Sequence, residues 1–470
     1  MRRYTLPLWL GSLYLWGIYL GVVQAQNEFT IPEEMTVAMF RLDEEDASPH
    51  PSGELCALGS TVFGCSDYIG NPDRAYPYDA NPVTIPIETD YLLDVVTVEM
   101  NPNLFDPTAV EAQFIAARTF GYFQIEQRRR DATLNPINNS TEFQAFIPYR
   151  FERRTAYFPP DPGDPCGSEN IIPGSPADIL CQAASRTFGS YMTSNTAGFG
   201  GDFPVFAAFS ADVIERTTDF PGSGASHLIS VANPISRAGL DPAACSAVNL
   251  GNPYGMMQQG AARWARGDQC AERGEGTIPW SVRWREPVRI LTHYYTGIHV
   301  RDSTKTIVTP DNRWNPLAMT WETSGRNPPT MTEGRSYPLT IQIQNTGIDD
   351  WTCFSDRTFS LRYSWLRSSE EQRSNTIIET CNLLKGAERS FDLTIDTNDI
   401  PGDWGPGIYT LRFDMYIDTD GPLARFRDER WPTYDVRVQV VPENGGNGRT
   451  GTIYLPLIQR GTAVLQKHVP

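Results

Sequence analysis

Glu99 is the residue of this chain best suited by type and position to do chemistry. It follows a β-branched run, Val95 to Val98, and precedes Asp106 and Pro107, which are preferred residues for opening a helix. The spacing predicts a strand, a short loop that carries Glu99, and a long helix that ends near Arg130. Loops between rigid elements often hold catalytic side chains, and a carboxyl group can both donate and accept a proton.

The predicted helix is mostly apolar, and its few polar residues are candidates for a site. Val110 and Phe114 recur at helical spacing and predict one buried face. Gln113 and Arg118 are polar exceptions that would orient Glu99 or bind a ligand. A structural ion pair is the alternative role for Arg118, and an ordinary solvated loop acid is the alternative for Glu99.

A single acid restricts the reaction that this site can perform. Glycosidases that use water ordinarily need two carboxylates, and the sequence shows no obvious second acid beside Glu99. One acid suffices if a hydroxyl of the sugar is the nucleophile. The acid then protonates the leaving oxygen and takes a proton from that hydroxyl. The product is an anhydro sugar, and no water is consumed.

The amino terminus and the charge predict where the protein acts. Residues 1–25 combine Arg2 and Arg3 with an apolar run and a small-residue cleavage site, which predicts a signal peptide. An uncleaved membrane anchor is the alternative. No later segment is apolar enough to cross a membrane, so we expect a secreted protein. The net charge of −17 repels phosphates and argues against a nucleic-acid partner.

The eight cysteines predict disulfides rather than a metal site. No Cys-x-x-Cys pair exists, so a closed zinc site is not expected. A mixed site of Cys166 or Cys181 with a histidine is the alternative, and no cofactor is expected. Pairs close in sequence predict four local disulfides in an oxidising compartment: Cys56/Cys65, Cys166/Cys181, Cys245/Cys270 and Cys353/Cys381.

Composition divides the mature chain into two regions and a tail. Residues 27–305 mix helical and strand patterns and predict an α+β catalytic domain. Residues 311–442 alternate apolar and polar side chains, which predicts an all-β sandwich, and 443–470 form a linker and a short apolar tail. Further helices are predicted near Ala177–Tyr191, Met256–Arg266 and Val288–Tyr295.

Three blocks of the first region resemble one known family. They are Glu99-Met100-Asn101 with the helix sequence EAQFIAARTF at 111–120, the block GNPYGMMQQGA at 251–261, and ILTHYYTG at 290–297. In this order they resemble the stage II sporulation protein D, or amidase-enhancer, family. The Asn-Thr-Gly turn at 345–347 and the strand at 407–413 resemble a bacterial immunoglobulin-like domain.

The first resemblance implies a lytic transglycosylase that acts on the glycan strands of peptidoglycan. Glu99 would be its general acid and base, and the protein would be associated with the cell wall. His293 is expected to be a packed core histidine rather than a base. The resemblance also implies a set of substrate-binding residues: Gln113, Arg118, Gln258, Tyr294 and Tyr295.

Three positions depart from the family pattern. Glu111 stands where the family has lysine, Asn252 where it has histidine, and Met257 where it has serine. If Glu111 lay close to Glu99, it would favour the protonated acid. The departures support an alternative, a non-catalytic peptidoglycan-binding module or one that stimulates a cell-wall amidase. A surface adhesive protein is a third interpretation.

Overall fold

The structure is a computed structural model of the 470-residue chain. Helices lie mainly in the first half and sheets in the second. The predicted signal peptide, the tail from 444 onward and Asn252 lie outside the described residues. The structure describes residues 29–44, 47–67, 81–159, 164–167, 170–194, 201–211, 214–221, 225–236, 245, 254–322, 328–421 and 423–443.

The helices of the described residues all begin before residue 290, apart from short 3-10 turns. A π-helical turn, Ile87–Tyr91, runs directly into the first of them. They are α1 (Leu92–Glu99), α2 (Pro107–Arg130), α3 (Arg150–Thr155), α4 (Pro176–Arg186), α5 (Gln258–Arg266) and α6 (Pro287–Tyr294).

The segment predicted as a strand before Glu99 forms the helix α1 instead, and Glu99 is its last residue rather than a loop residue. Leu92 and Val96 are one turn apart and both buried. The Thr97 hydroxyl donates to the carbonyl of Leu93 at 2.6 Å, a contact that helical backbone allows. Packing of this buried face outweighs the β preference of the branched residues.

The long helix α2 begins as predicted. Asp106 accepts a hydrogen bond from the backbone N–H of Thr108 at 3.1 Å, and Pro107 is the first helical residue. The helices predicted near α4, α5 and α6 are also present, although α4 ends earlier because Tyr191 begins a strand. The short helix α3 is additional to the predicted helices.

The strands of the first half form three small pairs that surround the helices. β4 and β5 run parallel, and the other two pairs are antiparallel. They are β1 (Glu34–Val37) with β2 (Val83–Pro86), β3 (Tyr191–Ser194) with β6 (Ile298–Arg301), and β4 (Phe209–Ser210) with β5 (Met256–Met257).

The second half contains two larger sheets, as its alternation of apolar and polar side chains predicts. The strands are β7 (Trp314–Trp321), β8 (Thr330–Thr332), β9 (Ser336–Asn345), β10 (Arg357–Arg367), β11 (Glu370–Arg373), β12 (Ile378–Glu379), β13 (Glu388–Asp396), β14 (Gly407–Thr419), β15 (Ala424–Arg425) and β16 (Tyr434–Val441). One sheet has the order β11-β10-β14-β16-β8, with β12 beside β10 and β15 beside β14. The other has the order β13-β9-β7.

The two halves share one apolar core, in which α6 packs against the sheets. The Trp284 indole donates to the carbonyl of Pro316 at 3.0 Å. Arg289 on α6 is 1% exposed and donates to the carbonyl of Trp314 and the side chain of Asn315, each at 3.0 Å. The helical half is therefore completed by the strands that follow it.

The four disulfides form in the predicted pairs, and each closes a loop of 28 residues or fewer. They are consistent with an extracellular protein. None of the helices in the described ranges has both the length and the hydrophobicity needed to cross a bilayer.

Candidate active site at Glu99

The structure brings together Glu99 and Gln258, which are 159 residues apart in the chain. Glu99 ends α1, and Gln258 is the first residue of α5. The Gln258 side-chain amide donates to Glu99 Oε2 at 2.9 Å. Two of the three sequence blocks thus meet at one carboxyl group.

A second donor to Glu99 comes from a segment that carried no sequence signal. The backbone N–H of Ala145 also donates to the Glu99 carboxylate. Its neighbour Gln144 is 1% exposed and is held at both ends of its amide. It accepts from the Tyr91 hydroxyl at 2.9 Å and donates to the carbonyl of Ala117 at 3.0 Å. Gln144 therefore fixes the backbone that orients Glu99.

The environment of Glu99 favours its protonated form. Burial raises the pKa of the Glu99 carboxyl above its ordinary value, and the hydrogen bonds from Gln258 and Ala145 oppose that rise without cancelling it. A position at the carboxyl end of a helix also disfavours negative charge. Glu99 as a whole residue is partly exposed. A raised pKa suits a carboxyl group that must donate a proton.

Among the described residues, no second carboxylate hydrogen-bonds to Glu99. Glu111, which stands in the family's lysine position, forms an ion pair with Arg186 at 3.0 Å. The causes that shift the pKa of Glu99 are burial and its two hydrogen-bond donors. Glu111 therefore does not raise the pKa of Glu99, as it would if the two carboxylates lay close together.

Gln113 lies on α2 and is fully buried. Neither its amide nitrogen nor its amide oxygen has a hydrogen-bond partner among the described residues. A buried polar group without a partner typically costs about 1–3 kcal/mol. The unpaired amide of Gln113 therefore lowers the stability of the folded protein.

We expect Gln113→Met to raise the free energy of unfolding by about 1 kcal/mol, because it removes an unsatisfied amide while keeping a side chain of similar shape. Urea unfolding of both proteins measures the change. Gln372→Met, at an exposed strand position, serves as the matched control and is expected to change stability by less than about 0.5 kcal/mol. A loss of stability in Gln113→Met would contradict this account.

Arg118 contacts Glu88 rather than Glu99. Its guanidinium, 1% exposed, donates two hydrogen bonds of 2.6 Å to the Glu88 carboxylate and one of 3.1 Å to the carbonyl of Ser190. Five residues along a helix correspond to a rotation of about 140°, so Arg118 and Gln113 point in different directions. The structure therefore corrects the expectation that Arg118 orients Glu99 and supports its alternative role in a structural ion pair.

Tyr294 and Tyr295 are both fully buried, which corrects the expectation that they bind the substrate. The Tyr294 hydroxyl donates to Asn233 at 3.2 Å, and the Tyr295 hydroxyl donates to the carbonyl of Ala208 at 2.8 Å. His293 is also buried, and its Nδ1 lies 2.7 Å from the amide oxygen of Gln344. The whole block packs the helical half against the sheets.

Three carboxyl groups meet around the amino-terminal part of α1. Asp94 is buried and accepts hydrogen bonds from the backbone N–H groups of Tyr149 and Phe151, at 3.1 and 2.8 Å. Burial raises the pKa of Asp90 to about 6 and that of Glu152 to about 7, and it raises the pKa of Asp94 well above its usual range. Repulsion among these carboxylates also raises the pKa of Asp94 and that of Glu152.

These raised values predict a pH-dependent stability. The pKa of Glu152 is higher in the folded protein than in the unfolded chain. The stability that protonated Glu152 contributes to the folded protein is therefore complete below about pH 4.5 and is lost as the pH rises through about 7. Glu152→Gln changes the free energy of unfolding at each pH. We expect this change to be more stabilising at pH 8 than at pH 4 by about 1–2 kcal/mol. Urea unfolding at both pH values tests this, with the exposed Glu370→Gln as control. Equal effects at both pH values would refute it.

The alternative of a mixed metal site is excluded at the cysteines proposed for it. Cys166 and Cys181 are joined by a disulfide with an S–S distance of 2.04 Å, and disulfide sulfurs are not thiolate ligands. In the described part of the chain, no group of three or more His, Cys, Asp or Glu residues is arranged to hold a metal ion.

A comparison with known families finds a match in the first half of the chain. The profile of the SpoIID family, described as Stage II sporulation protein, matches residues 82–161. This range includes Glu99, Gln113 and Arg118 but stops well before Gln258. The match points to a protein related to sporulation or the cell wall. No curated protein matches the chain.

Solved structures resemble only parts of the chain. The β-glucosidase EmGH1 from Erythrobacter marinus is 12% identical over 29% of this chain and 17% of its own, with a TM-score of 0.17. The sporulation control protein Spo0M from Bacillus subtilis is 14% identical over 28% and 49%, with a TM-score of 0.15. The C-terminal domain of wzt is 11% identical over 28% and 79%, with a TM-score of 0.19. Scores this low carry no argument about fold or function.

Proposed function

We propose that the protein is an exported lytic transglycosylase that cleaves the glycan strands of peptidoglycan. The observation that carries this proposal is the meeting of Glu99 with Gln258 and the Ala145 N–H. These groups hold a single acid, partly exposed and with a raised pKa, at the junction of two helices. The SpoIID match over 82–161 supplies the cell-wall context.

The reaction balances with one protein acid and no water. Protonated Glu99 donates its proton to the oxygen that links N-acetylmuramic acid to N-acetylglucosamine, and the bond from that oxygen to the muramic C1 breaks. The Glu99 carboxylate then accepts the proton of the muramic 6-hydroxyl. A bond from O6 to C1 forms, which leaves a 1,6-anhydro end and returns Glu99 to its protonated state.

The other residues have supporting roles in this proposal. The Gln258 amide and the Ala145 N–H favour the carboxylate that forms when Glu99 gives up its proton, and they keep it in one orientation. The amide of Gln113 is fully buried, as are Tyr294 and Tyr295, so no contact with the saccharide is assigned to it. We further propose that 311–442 is immunoglobulin-like, a reading supported by its two sheets of mainly antiparallel strands.

Digestion of glycan strands stripped of their peptides tests the activity. The mature protein is incubated with these strands, and the products are separated and identified by mass spectrometry. We expect disaccharides and longer fragments with anhydro-muramyl ends. Products that carry one additional water would indicate hydrolysis and contradict the proposed reaction.

A second candidate function is glycan binding without cleavage, with stimulation of a cell-wall amidase. It is favoured by Glu111 and Met257, which replace the lysine and serine expected of the family. Met257 is fully buried, so this position presents no hydroxyl to a substrate. This alternative predicts that the same strands are retained by the immobilised protein and recovered intact.

A further inference from the structure

A cavity of about 930 Å³ opens beside the first turns of α1, away from Glu99. Leu93 lines it, and Glu99 lies six residues further along, about 9 Å along the helix axis. The volume falls in the range of small-molecule binding sites. The cavity therefore lies at the opposite end of the helix from the proposed catalytic acid.

One wall of the cavity is a polar face of α4. Asp178, Gln182, Ser185 and Arg186 all line it and recur at the spacing of one helical face. Asp164 also lines the cavity, in a loop that the Cys166–Cys181 disulfide ties to α4. The cavity is thus bounded by a helix and a covalently attached loop.

The charges that line the cavity are mainly negative. Glu88 is neutralised by Arg118 and Arg186 by Glu111, at 2.6 and 3.0 Å. Within the described residues, Asp164 and Asp178 pair with no cation. The carboxylate of Asp178 is oriented by the backbone N–H of Gly174 at 2.6 Å and the side chain of Gln182 at 2.9 Å.

The rim adds an aromatic surface. Phe188 lines the cavity and is 59% exposed, which is a large fraction for a phenylalanine. An exposed ring can pack against the apolar face of a sugar and attracts a cation over its face. The Gln182 amide already donates to Asp178 and accepts from Arg186, whereas the hydroxyls of Ser185 and Thr89 can hydrogen-bond to sugar hydroxyls.

We propose that this cavity binds a sugar unit with a free ammonium group, that is, a glucosamine unit of a partly deacetylated glycan strand. Asp164 and Asp178 would receive the ammonium, and Phe188 would pack against the sugar ring. The inference rests on the proposed function for its substrate class, because it assumes that the protein acts on glycan strands. It adds a preference for strands that carry free amino groups.

Isothermal titration with two tetrasaccharides tests the proposal. One is the β-1,4-linked tetramer of glucosamine, the other the tetramer of N-acetylglucosamine, both at pH 6 and with full-length mature Glu99→Gln. We expect the glucosamine tetramer to bind at least about tenfold more tightly. The double variant Asp164→Asn/Asp178→Asn is expected to abolish this preference, and Phe188→Ala to weaken binding of both tetramers. Asp356→Asn, an exposed acid of the other half, is expected to change neither.

Equal affinities for the two tetramers, or absence of binding by both, would overturn the proposal. A preference that survives in the double variant would also overturn it. A short lysine peptide provides a further arm, because a stem peptide also carries an ammonium group. If the peptide binds at this cavity and the glucosamine tetramer does not, the amino-sugar assignment is wrong. None of these outcomes depends on cleavage, so failure of the proposed function is detected separately by the product analysis.

Discussion

Glu99→Gln is expected to lower the rate of glycan cleavage by about 10²–10⁴-fold, the range that general acid–base groups typically contribute. The amide has nearly the same shape as the carboxylic acid but cannot release a proton to the leaving oxygen. The rate of formation of anhydro-muramyl ends measures the effect. Unchanged thermal unfolding of the variant would show that the loss is chemical. Wild-type rates in Glu99→Gln would rule out Glu99 as the catalytic acid.

The pH profile distinguishes a catalytic Glu99 from a merely structural one. The rate depends on the protonated acid, so it is expected to fall as the pH rises through the raised pKa of Glu99. Gln258→Leu removes a hydrogen bond that lowers this pKa and is expected to shift the fall to higher pH. It is also expected to reduce the maximal rate, because the carboxyl loses an orienting contact. An unshifted profile would mean that Gln258 does not act on Glu99.

Arg289→Met is expected to destabilise the whole protein by about 3–5 kcal/mol, because three backbone carbonyls lose this donor at a typical cost of about 1–3 kcal/mol each. Arg289 donates to the carbonyls of Trp314, Pro432 and Thr433 and forms an ion pair with Glu286. Methionine fills part of the space but leaves those carbonyls without a donor. Thermal and urea unfolding measure the loss.

The control for this variant is Arg153→Met on the exposed face of α3. Surface substitutions of this kind usually change stability by less than about 0.5 kcal/mol. If both variants unfold at the same urea concentration, Arg289 does not hold the two halves together. If Arg289→Met unfolds in two separate steps, the halves are less dependent on each other than their shared core indicates.

The sequence predicted elements best where local chemistry determines them. Asp106 and Pro107 open α2 because their side chains and backbone suit that position in isolation. The alternating strands of the second half were predicted for the same reason, since alternation reports one buried face. The segment 92–99 was mispredicted because its residues favour strands locally, whereas its burial against the rest of the first half favours a helix.

The site was predictable only in part. The resemblance named both Glu99 and Gln258, but their contact depends on how α1 and α5 pack. Nothing in the sequence marked Gln144, which acts through a backbone N–H of its neighbour. Arg118 and the two tyrosines matched a family pattern, and that pattern does not distinguish a substrate contact from a buried structural contact.

The disulfides have a consequence for how the protein is made. The eight cysteines form four pairs of consecutive cysteines, from Cys56 with Cys65 to Cys353 with Cys381. If the chain enters an oxidising compartment amino terminus first, the two cysteines of each pair emerge one after the other. They can therefore form their disulfide before any later cysteine has emerged. Simple oxidation in order of emergence would then produce the native pairing, with little need for an enzyme that rearranges disulfides.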